Sequence, residues 1–245
     1  MLEINKLKKY FDGVRAVDDC SFKVKKKTIT ALIGPNGAGK STVFNLISGL
    51  LKPDLGGINF FNIEIAGLRP EKISNLGISR LFQQTKLFNN LTVKENLLLA
   101  FDNEDTKFWK NLFSFNKINK EKEKKIKKML ESVNMEKFEN TLSRNLSYGQ
   151  KRLIEILRTI LNPHEFLILD EPVAGVNSKL REKIVEILLK LKEKGETILL
   201  IEHDMNFTLK IADVVIVMEK GRVIAQGKPE KIKNNPEVLA AYLGE

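Results

Sequence analysis

The pattern of hydrophobic and polar residues predicts strands towards both ends of the chain and helices in between. The segments "LEINKLKKYF", "AVDDCSFKV" and "TITALI" (28–33) are short, β-branched or alternating, and separated by turn-forming or Lys-rich residues, which favours strands. "KSTVFNLISGLL" predicts a helix that stops at Lys52-Pro53, and "GGINFFNIEI" and "GISRLFQ" (77–83) predict further strands. From about residue 94 to residue 162 the periodicity is helical.

The C-terminal third alternates fully apolar runs with an amphipathic stretch. "EFLILDEP" (165–172) and "ETILLIEHD" lack polar alternation, as is typical of strands that are covered on both faces of a parallel sheet. "SKLREKIVEILLKLKEKG" lies between them with helical spacing, and "VVIVMEKGRVIAQG" (214–227) predicts a hairpin that turns at Lys220-Gly221. We therefore predict an α/β sheet that an all-helical insert interrupts.

Composition adds constraints on compartment and partners. The chain has 245 residues, 42% of them hydrophobic, and Cys20 is its only cysteine, so we expect a globular protein in a reducing compartment. We expect neither a signal peptide nor a bilayer-spanning segment, so that work at a membrane would need a partner. The net charge is +10, but the densest basic run, 116–133, mixes Glu with Lys at helical spacing. This pattern favours a solvated helix face, and we expect no nucleic-acid partner.

A phosphate-binding loop is predicted by "GPNGAGKS" (34–41), which matches G-x-x-x-x-G-K-[ST] between a predicted strand and a predicted helix. Its glycines let backbone N–H groups curl around a triphosphate, and the helix N-terminus adds its dipole. Lys40 is expected to reach the β- and γ-phosphates, Ser41 to bind Mg²⁺, and Thr42 to contact an inner phosphate. The predicted nucleotide-binding residues are Gly34, Pro35, Asn36, Gly37, Ala38, Gly39, Lys40, Ser41 and Thr42.

Acidic and histidine side chains are expected at the edge of the sheet where parallel strands end. Asp170, at the tip of "FLILD", is placed to hold the metal, whereas Glu171, pointing to the opposite side of the strand, can orient or deprotonate water. His203 ends the strand "TILLIEH" and can contact the γ-phosphate and the attacking water. The other histidine, His164, is interpreted as a loop residue.

The segment "LSYGQ" (146–150) opens an amphipathic helix. Ser147 and Gln150 have the spacing of a capping box, and Leu153, Ile154, Ile156, Leu157, Ile160 and Leu161 follow on one predicted face. On its own the segment is a common helix cap. Together with the phosphate-binding loop and the Asp-Glu strand, it resembles the signature motif of the ATP-binding-cassette (ABC) ATPases. Both interpretations can hold at once.

The resemblance implies a fold, a partner and further site residues. ABC ATPases have a P-loop NTPase (RecA-like) core, an N-terminal antiparallel β subdomain and an inserted helical subdomain. Here the core would cover about 1–93 and 163–245, and the helical subdomain about 94–162. Two cassettes would close head to tail on two ATP molecules, so that the Ser147, Gly149 and Gln150 of one cassette meet the γ-phosphate bound by the other. Tyr148 stands where glycine is commoner, and we expect it to face away from the phosphate.

Three other motifs of the family match single positions. Gln83 resembles the Q-loop glutamine, which contacts Mg²⁺ or water and senses the transport partner. Phe11 resembles the A-loop aromatic residue that stacks on adenine, with Tyr10 as the alternative. "AGVN" (174–177) occupies the D-loop, where Asn177 replaces the more usual Asp and puts the intersubunit contact made there in question.

Longer stretches resemble the ATP-binding subunits of branched-chain amino acid importers, among them "LFQQTKLFNNLTVKENLLLA", "LDEPVAGVN" and "IKNNPEVLAAYLGE". This implies ATP hydrolysis, integral membrane permease subunits, an indirectly contacted substrate-binding protein, a second cassette of the same or a different kind, and a peripheral place on the cytoplasmic side of the inner membrane. Leu87, Phe88 and Leu91 form the predicted permease groove, or are core residues. The alternatives are a lipopolysaccharide- or lipid-export ATPase, a soluble ABC ATPase and a non-ABC P-loop protein such as a kinase.

Overall fold

The computed structural model of the chain describes residues 1–83, 86–104 and 115–243. Part of "LFQQTKLFNN" and the last two residues of the tail lie outside this range. The strands are β1 (Leu2–Phe11), β2 (Val14–Val24), β3 (Ile29–Ile33), β4 (Leu55–Phe60), β5 (Ile63–Glu64), β6 (Ile78–Leu81), β7 (Phe166–Asp170), β8 (Ile198–Ile201), β9 (Val214–Glu219) and β10 (Arg222–Gly227). The α-helices are α1 (Lys40–Ile47), α2 (Pro70–Asn75), α3 (Val93–Leu98), α4 (Phe115–Ser132), α5 (Tyr148–Leu161), α6 (Ser178–Glu193), α7 (Met205–Ile211), α8 (Pro229–Lys233) and α9 (Pro236–Leu243).

The strands form two sheets. An antiparallel sheet has the order β2-β1-β4-β5. A second sheet has the order β10-β9-β3-β8-β7-β6. In it, β3 runs parallel to both β8 and β9, and β7 runs parallel to β8. The hairpin strands β9 and β10 are antiparallel. Every residue of β3, β7 and β8 is buried. These strands are therefore covered on both faces, as their continuous apolar sequence predicts.

Residue contacts group the chain into two compact units. The first contains Met1–Arg80, His164–Pro172 and Val185–Glu245, and the second contains Leu81–Pro163 and Val173–Ile184. The core of the first unit is a buried apolar cluster that joins β1, β2 and α1 to the inner strands. The second unit contains α3, the described part of α4, α5 and the first residues of α6. Within the described residues, no helix combines the length and the hydropathy that crossing a bilayer requires.

Several predicted boundaries are wrong by a few residues. Helix α1 ends at Ile47, not near Lys52, because Ser48 bonds back to the Phe44 carbonyl and Gly49 adopts a positive φ of 74°. Strand β6 ends at Leu81, two residues before Gln83. Strand β7 ends at Asp170 and β8 ends at Ile201, so Glu171 and His203, which the sequence analysis placed on these strands, lie beyond their ends.

Candidate nucleotide-binding and hydrolysis site

The predicted phosphate-binding loop connects β3 to α1 in the first unit. Gly39, with φ of 97°, is the N-cap residue of α1, so the helix begins at Lys40. The Lys40 ammonium group donates to the carbonyl oxygens of Gly34 (2.6 Å) and Pro35 (2.7 Å), and its side chain is largely buried. The lysine is thus folded back onto its own loop, directly beside the N-terminal end of a helix that attracts anions.

Two of the loop glycines are required by close backbone contacts. A Cβ atom on Gly34 would lie 2.0 Å from the Met218 carbonyl oxygen, and one on Gly39 would lie 2.2 Å from the Ala16 carbonyl oxygen. Both residues also have positive φ values. The loop is therefore held between the β1–β2 hairpin and the end of β9, and any larger residue at these two positions would displace it.

The remaining loop residues differ in exposure. Ala38 is buried, Pro35 and Thr42 are half-buried, and Asn36, Gly37 and Ser41 are exposed. The Gly221 backbone N–H donates to the Ala38 carbonyl oxygen (3.0 Å), which fixes the loop from the β9–β10 turn. The loop thus presents its Ser41 hydroxyl to solvent from a rigid backbone.

The two candidate adenine-stacking aromatics have different surroundings. The Tyr10 hydroxyl donates to Asp18 Oδ1 (3.3 Å), and Asp18 also accepts from Arg222 (2.6 Å). The Arg222 hydrogen bond holds the pKa of Asp18 below its ordinary value, so this cluster keeps its charges. Phe11 is 40% exposed at the tip of the same hairpin. Of the two rings, Phe11 is the more exposed one, and Tyr10 is the one bonded to the Asp18 cluster.

Asp170 lies at the end of β7 as predicted, but it is paired with an arginine that the sequence analysis did not single out. Arg80 on β6 lies 3.3 Å from Asp170 Oδ2 and donates to Ser48 Oγ at 2.5 Å. Both charged side chains are buried. Burial lowers the pKa of Arg80, and the nearby Asp170 carboxylate opposes that shift. An arginine in "GISRLFQ" gave no signal, because a lone basic residue in a strand is usually an exposed one.

Glu171 and His203 come together just beyond the strand ends. Glu171 has a φ of 46° and is not on the strand, so the alternation argument used to separate its direction from that of Asp170 is wrong. Its backbone N–H donates to the Ile201 carbonyl oxygen (3.1 Å), which fixes it at the edge of the sheet. His203 lies two residues past β8, and its Nδ1 is 3.7 Å from Glu171 Oε1. His164 is a loop residue, as predicted, and its side chain is paired with Glu196.

Gln83 belongs to the second unit, where α5 holds the backbone around it. Arg152 Nη1 donates to the carbonyl oxygens of Phe82 (2.6 Å) and Gln83 (3.4 Å). Glu155 Oε1 accepts from the Lys86 backbone N–H, and Arg158 Nη1 donates to the Lys86 carbonyl oxygen (3.0 Å). The polar face of α5 therefore binds the backbone of Phe82, Gln83 and Lys86, while the Gln83 side chain is exposed.

This polar face was missed by the sequence analysis, which assigned only the apolar stripe of α5. Leu153, Ile154, Ile156 and Leu157 are buried, whereas Ile160 and Leu161 are only partly so. Arg152 is fully buried and Glu155 is 3% exposed. Burial raises the pKa of Glu155 although hydrogen bonds and the neighbouring arginines work against it. The oppositely charged residues three apart were the available signal, but such pairs are usually on the surface.

The predicted cap at "LSYGQ" is present. The Gln150 backbone N–H donates to Ser147 Oγ (3.4 Å), and the Ser147 N–H donates to Gln150 Oε1 (2.9 Å). Ser147 is exposed at the N-terminal end of α5, and Gly149 is the second residue of the helix, in its first turn. Asn177, in the predicted D-loop, accepts from the Leu180 N–H (3.0 Å) through its side chain and so caps the start of α6.

The structure thus brings the candidate residues together in two groups. The first unit holds the phosphate-binding loop, Phe11, Asp170, Glu171 and His203. The second holds Gln83 with the signature-like residues Ser147, Gly149 and Gln150. A phosphate-binding loop after β3 and an Asp-Glu pair after β7, on parallel strands separated only by β8, form the arrangement of a P-loop nucleotide hydrolase.

Comparison with known proteins defines the class more closely. A family model described as ABC transporter matches residues 17–174, and one described as branched-chain amino acid ATP-binding cassette transporter matches residues 222–245. The chain belongs to the ATP-binding cassettes of ABC transporters, and it is an ATPase that binds nucleotide. It is 40% identical to the high-affinity branched-chain amino acid transport ATP-binding protein BraF of Pseudomonas aeruginosa, over 100% of this chain and 98% of that protein.

Solved structures of ATP-binding cassettes are similar to this chain over nearly its whole length. A nucleotide-free ATP-binding cassette from an ABC transporter superposes with a TM-score of 0.85 and 36% identity, over 100% of this chain and 99% of that one. A dimeric post-hydrolysis cassette bound to ADP and phosphate gives a TM-score of 0.80 and 27% identity, over 94% and 99%. The predicted fold, an α/β P-loop core with an antiparallel β subdomain and a helical insert, is confirmed.

Proposed function

We propose that the chain is the ATP-hydrolysing, energy-coupling subunit of an importer for branched-chain or other hydrophobic amino acids. The full-length similarity to BraF carries this proposal, since it runs through the C-terminal segment as well as the cassette itself. That segment favours the amino-acid importer over lipopolysaccharide or lipid export and over soluble ABC ATPases.

The proposed nucleotide site uses the first unit. Phe11 stacks on adenine, and residues 34–42 bind the phosphates, with Lys40 leaving its carbonyl partners for the β- and γ-phosphates. Glu171 orients and deprotonates the attacking water, and His203, 3.7 Å from that carboxylate, holds the same water and the γ-phosphate. Charge that develops on the phosphate is stabilised by Lys40 and by the helix N-terminus.

Magnesium fits the oxygen donors of this site. The Asp170 carboxylate and the Ser41 hydroxyl, both in the first unit, are oxygen ligands of the kind that Mg²⁺ prefers. The Gln83 side-chain amide, in the second unit, is the further ligand that the resemblance to the family implies. Held by these residues together with ATP, the ion would supply positive charge that neutralises the phosphates. Asp170 is held by Arg80, so its carboxylate is oriented before any ligand arrives.

The proposed partners complete the site and give it a location. Ser147, Gly149 and Gln150 face the nucleotide of a second cassette, identical or related, as the dimeric relative suggests. Integral membrane permease subunits dock on the segment of Leu87, Phe88 and Leu91, where Phe88 is 56% exposed. A substrate-binding protein acts through the permease. The chain then works as one nucleotide-binding domain, with residues 94–162 as its helical part, peripherally on the cytoplasmic side of the inner membrane.

Glu171→Gln tests the hydrolytic role. We expect the variant to bind ATP but to hydrolyse it about a hundredfold to ten-thousandfold more slowly, because a general base is lost. Phosphate release and binding of a fluorescent ATP analogue are measured on the purified full chain. The matched control is Glu131→Gln, which alters an exposed carboxylate on α4. Unchanged turnover in Glu171→Gln would rule out this role for the residue.

Co-purification from gently solubilised membranes tests the transport role. The proposal expects multi-spanning permease subunits to accompany the tagged chain, together with a genetically linked amino-acid-binding protein. Lipopolysaccharide-export proteins among the partners would contradict the importer assignment and leave the ATPase intact.

A further inference from the structure

The ring of Tyr148 lies directly on Gly175. A Cβ atom built on Gly175 would be 2.7 Å from Tyr148 Cε1, 3.2 Å from Cδ1 and 3.6 Å from Cζ. Gly175 has a φ of 67°, and Tyr148 is still 49% exposed. One side of the ring therefore covers the bare backbone of the 174–177 segment, and the rest of the ring remains open to solvent.

A second contact joins the same two stretches. A Cβ atom on Gly149 would lie 2.9 Å from Leu180 Cδ1 and 4.0 Å from Val176 Cγ1. Thus the residues after Ser147 touch both the 174–177 segment and the first turn of α6. All of these residues belong to the second unit.

Each of the two stretches is fixed internally. The capping box fixes Ser147 at the start of α5. The Val176 N–H donates to the Val173 carbonyl oxygen (3.2 Å), and the Asn177 backbone and side chain accept from Arg181 (2.9 Å) and Leu180 (3.0 Å). Because both stretches are locally ordered, a contact between them ties their positions together.

We propose that Tyr148 is a positioning residue that locks the 174–177 segment to the signature-like motif, so that both present one continuous surface to the second cassette. This rests on the proposed dimer. A glycine at position 148 would leave Gly175 uncovered and the two stretches joined only through Gly149. The Tyr148 ring thus makes the packing contact that Gly175, which has no side chain, cannot make itself.

The test measures ATP-dependent dimerisation by light scattering in the slowly hydrolysing Glu171→Gln full chain. Tyr148→Ala should raise the ATP concentration for half-maximal dimerisation by about threefold to tenfold, the effect of losing one aromatic contact. Binding of a fluorescent ATP analogue to the monomer should stay unchanged, since the phosphate-binding loop belongs to the other unit. Tyr148→Phe, which keeps the ring, should restore dimerisation, and Leu239→Ala serves as the control because Leu239 is also 49% exposed.

Gly175→Ala disturbs the same contact from its other partner, because the added methyl group would displace the Tyr148 ring. The double variant Tyr148→Ala, Gly175→Ala should dimerise no more weakly than Gly175→Ala alone, because both substitutions remove the same contact. Additive effects, or a Tyr148→Ala variant that dimerises like its parent, would overturn the proposal. A parent chain that stays monomeric in ATP would overturn pairing between two copies of this chain, and with it the proposed role of Tyr148 in that pairing. This result is recognisable before any Tyr148 variant is made, and it leaves a dimer with a different cassette as the remaining form of the proposed function.

Discussion

Replacing Arg152 with methionine probes the buried charges by which α5 holds the backbone of Phe82, Gln83 and Lys86. The guanidinium group is fully buried, donates to the Phe82 carbonyl oxygen at 2.6 Å and lies 3.5 Å from Glu155 Oε2. Methionine fills a similar volume without any hydrogen-bond donor. The substitution therefore leaves the buried Glu155 carboxylate and the partly buried Phe82 carbonyl oxygen without this donor.

The expected cost follows from that geometry. Breaking a buried ion pair by removing one partner costs about 3–5 kcal/mol. Burial already raises the pKa of Glu155, and the loss of Arg152 raises it further, so that proton uptake limits the cost. We therefore expect the lower end of the range, about 3 kcal/mol. For a chain of this size about 2–4 °C of Tm corresponds to 1 kcal/mol, which gives a Tm lower by about 6–12 °C.

Thermal unfolding of the full chain at pH 7, followed by far-UV circular dichroism, measures this change. The double variant Arg152→Met, Glu155→Gln removes both charges of the pair and should regain part of the lost stability; the regain is only partial because Glu155 also interacts with the charge of Arg158. Arg144→Met, at an exposed position of the same unit, is the matched control. If Arg152→Met melts within about 2 °C of the wild-type chain, or if the double variant is the less stable one, the assigned role of the pair is wrong.

Two further predictions concern the second unit. The folded chain holds the Glu155 proton more tightly than the unfolded chain, so the stability associated with that proton is lost as pH rises above the ordinary Glu value of 4.5. The Tm of Glu155→Gln minus that of the wild type should therefore increase from pH 4.5 upwards, and a difference that does not vary with pH would contradict this. Asn177→Ala removes the side-chain cap of α6 and should cost about 1 kcal/mol, whereas Asn177→Asp should retain it. Urea unfolding compares the two, and equal losses would refute the capping role.

The sequence predicted the elements of the first unit well, because each has a strong local signal. The buried strands are continuous apolar runs, and the phosphate-binding loop has fixed spacing between a strand and a helix. The ends of elements were predicted less well. Glu171 was placed on a strand because hydropathy cannot register a single residue with φ of 46°. That backbone turn depends on the neighbouring strand, through the Ile201 carbonyl oxygen.

Buried charges were the main feature of the candidate site that the sequence did not indicate. Arg80, Arg152 and Glu155 were not singled out from the sequence, since charged residues are rarely buried without partners. Their partners are carbonyl oxygens, a serine hydroxyl and carboxylates from other parts of the chain. Such pairings form only in the tertiary structure and produce no periodic pattern in the sequence. Each arginine nevertheless lies within a few residues of a motif that the sequence analysis identified, Arg80 near Gln83 and Arg152 just after "LSYGQ".

The contacts of α5 suggest how the motifs of the second unit act together. Ser147 caps its first turn, Tyr148 covers Gly175, and Arg152 and Glu155 bind the segment 82–86. Three motifs that are far apart in sequence are thus attached to one helix by side chains from its first three turns. In the proposed transporter, a permease that displaces Leu87, Phe88 and Leu91 would act on this helix through Lys86, and so on both the signature-like motif and the 174–177 segment. We therefore expect amide hydrogen exchange to increase in different places in two variants. Arg152→Met should increase exchange around Phe82, Gln83 and Lys86, whereas Tyr148→Ala should increase it in the 174–177 segment.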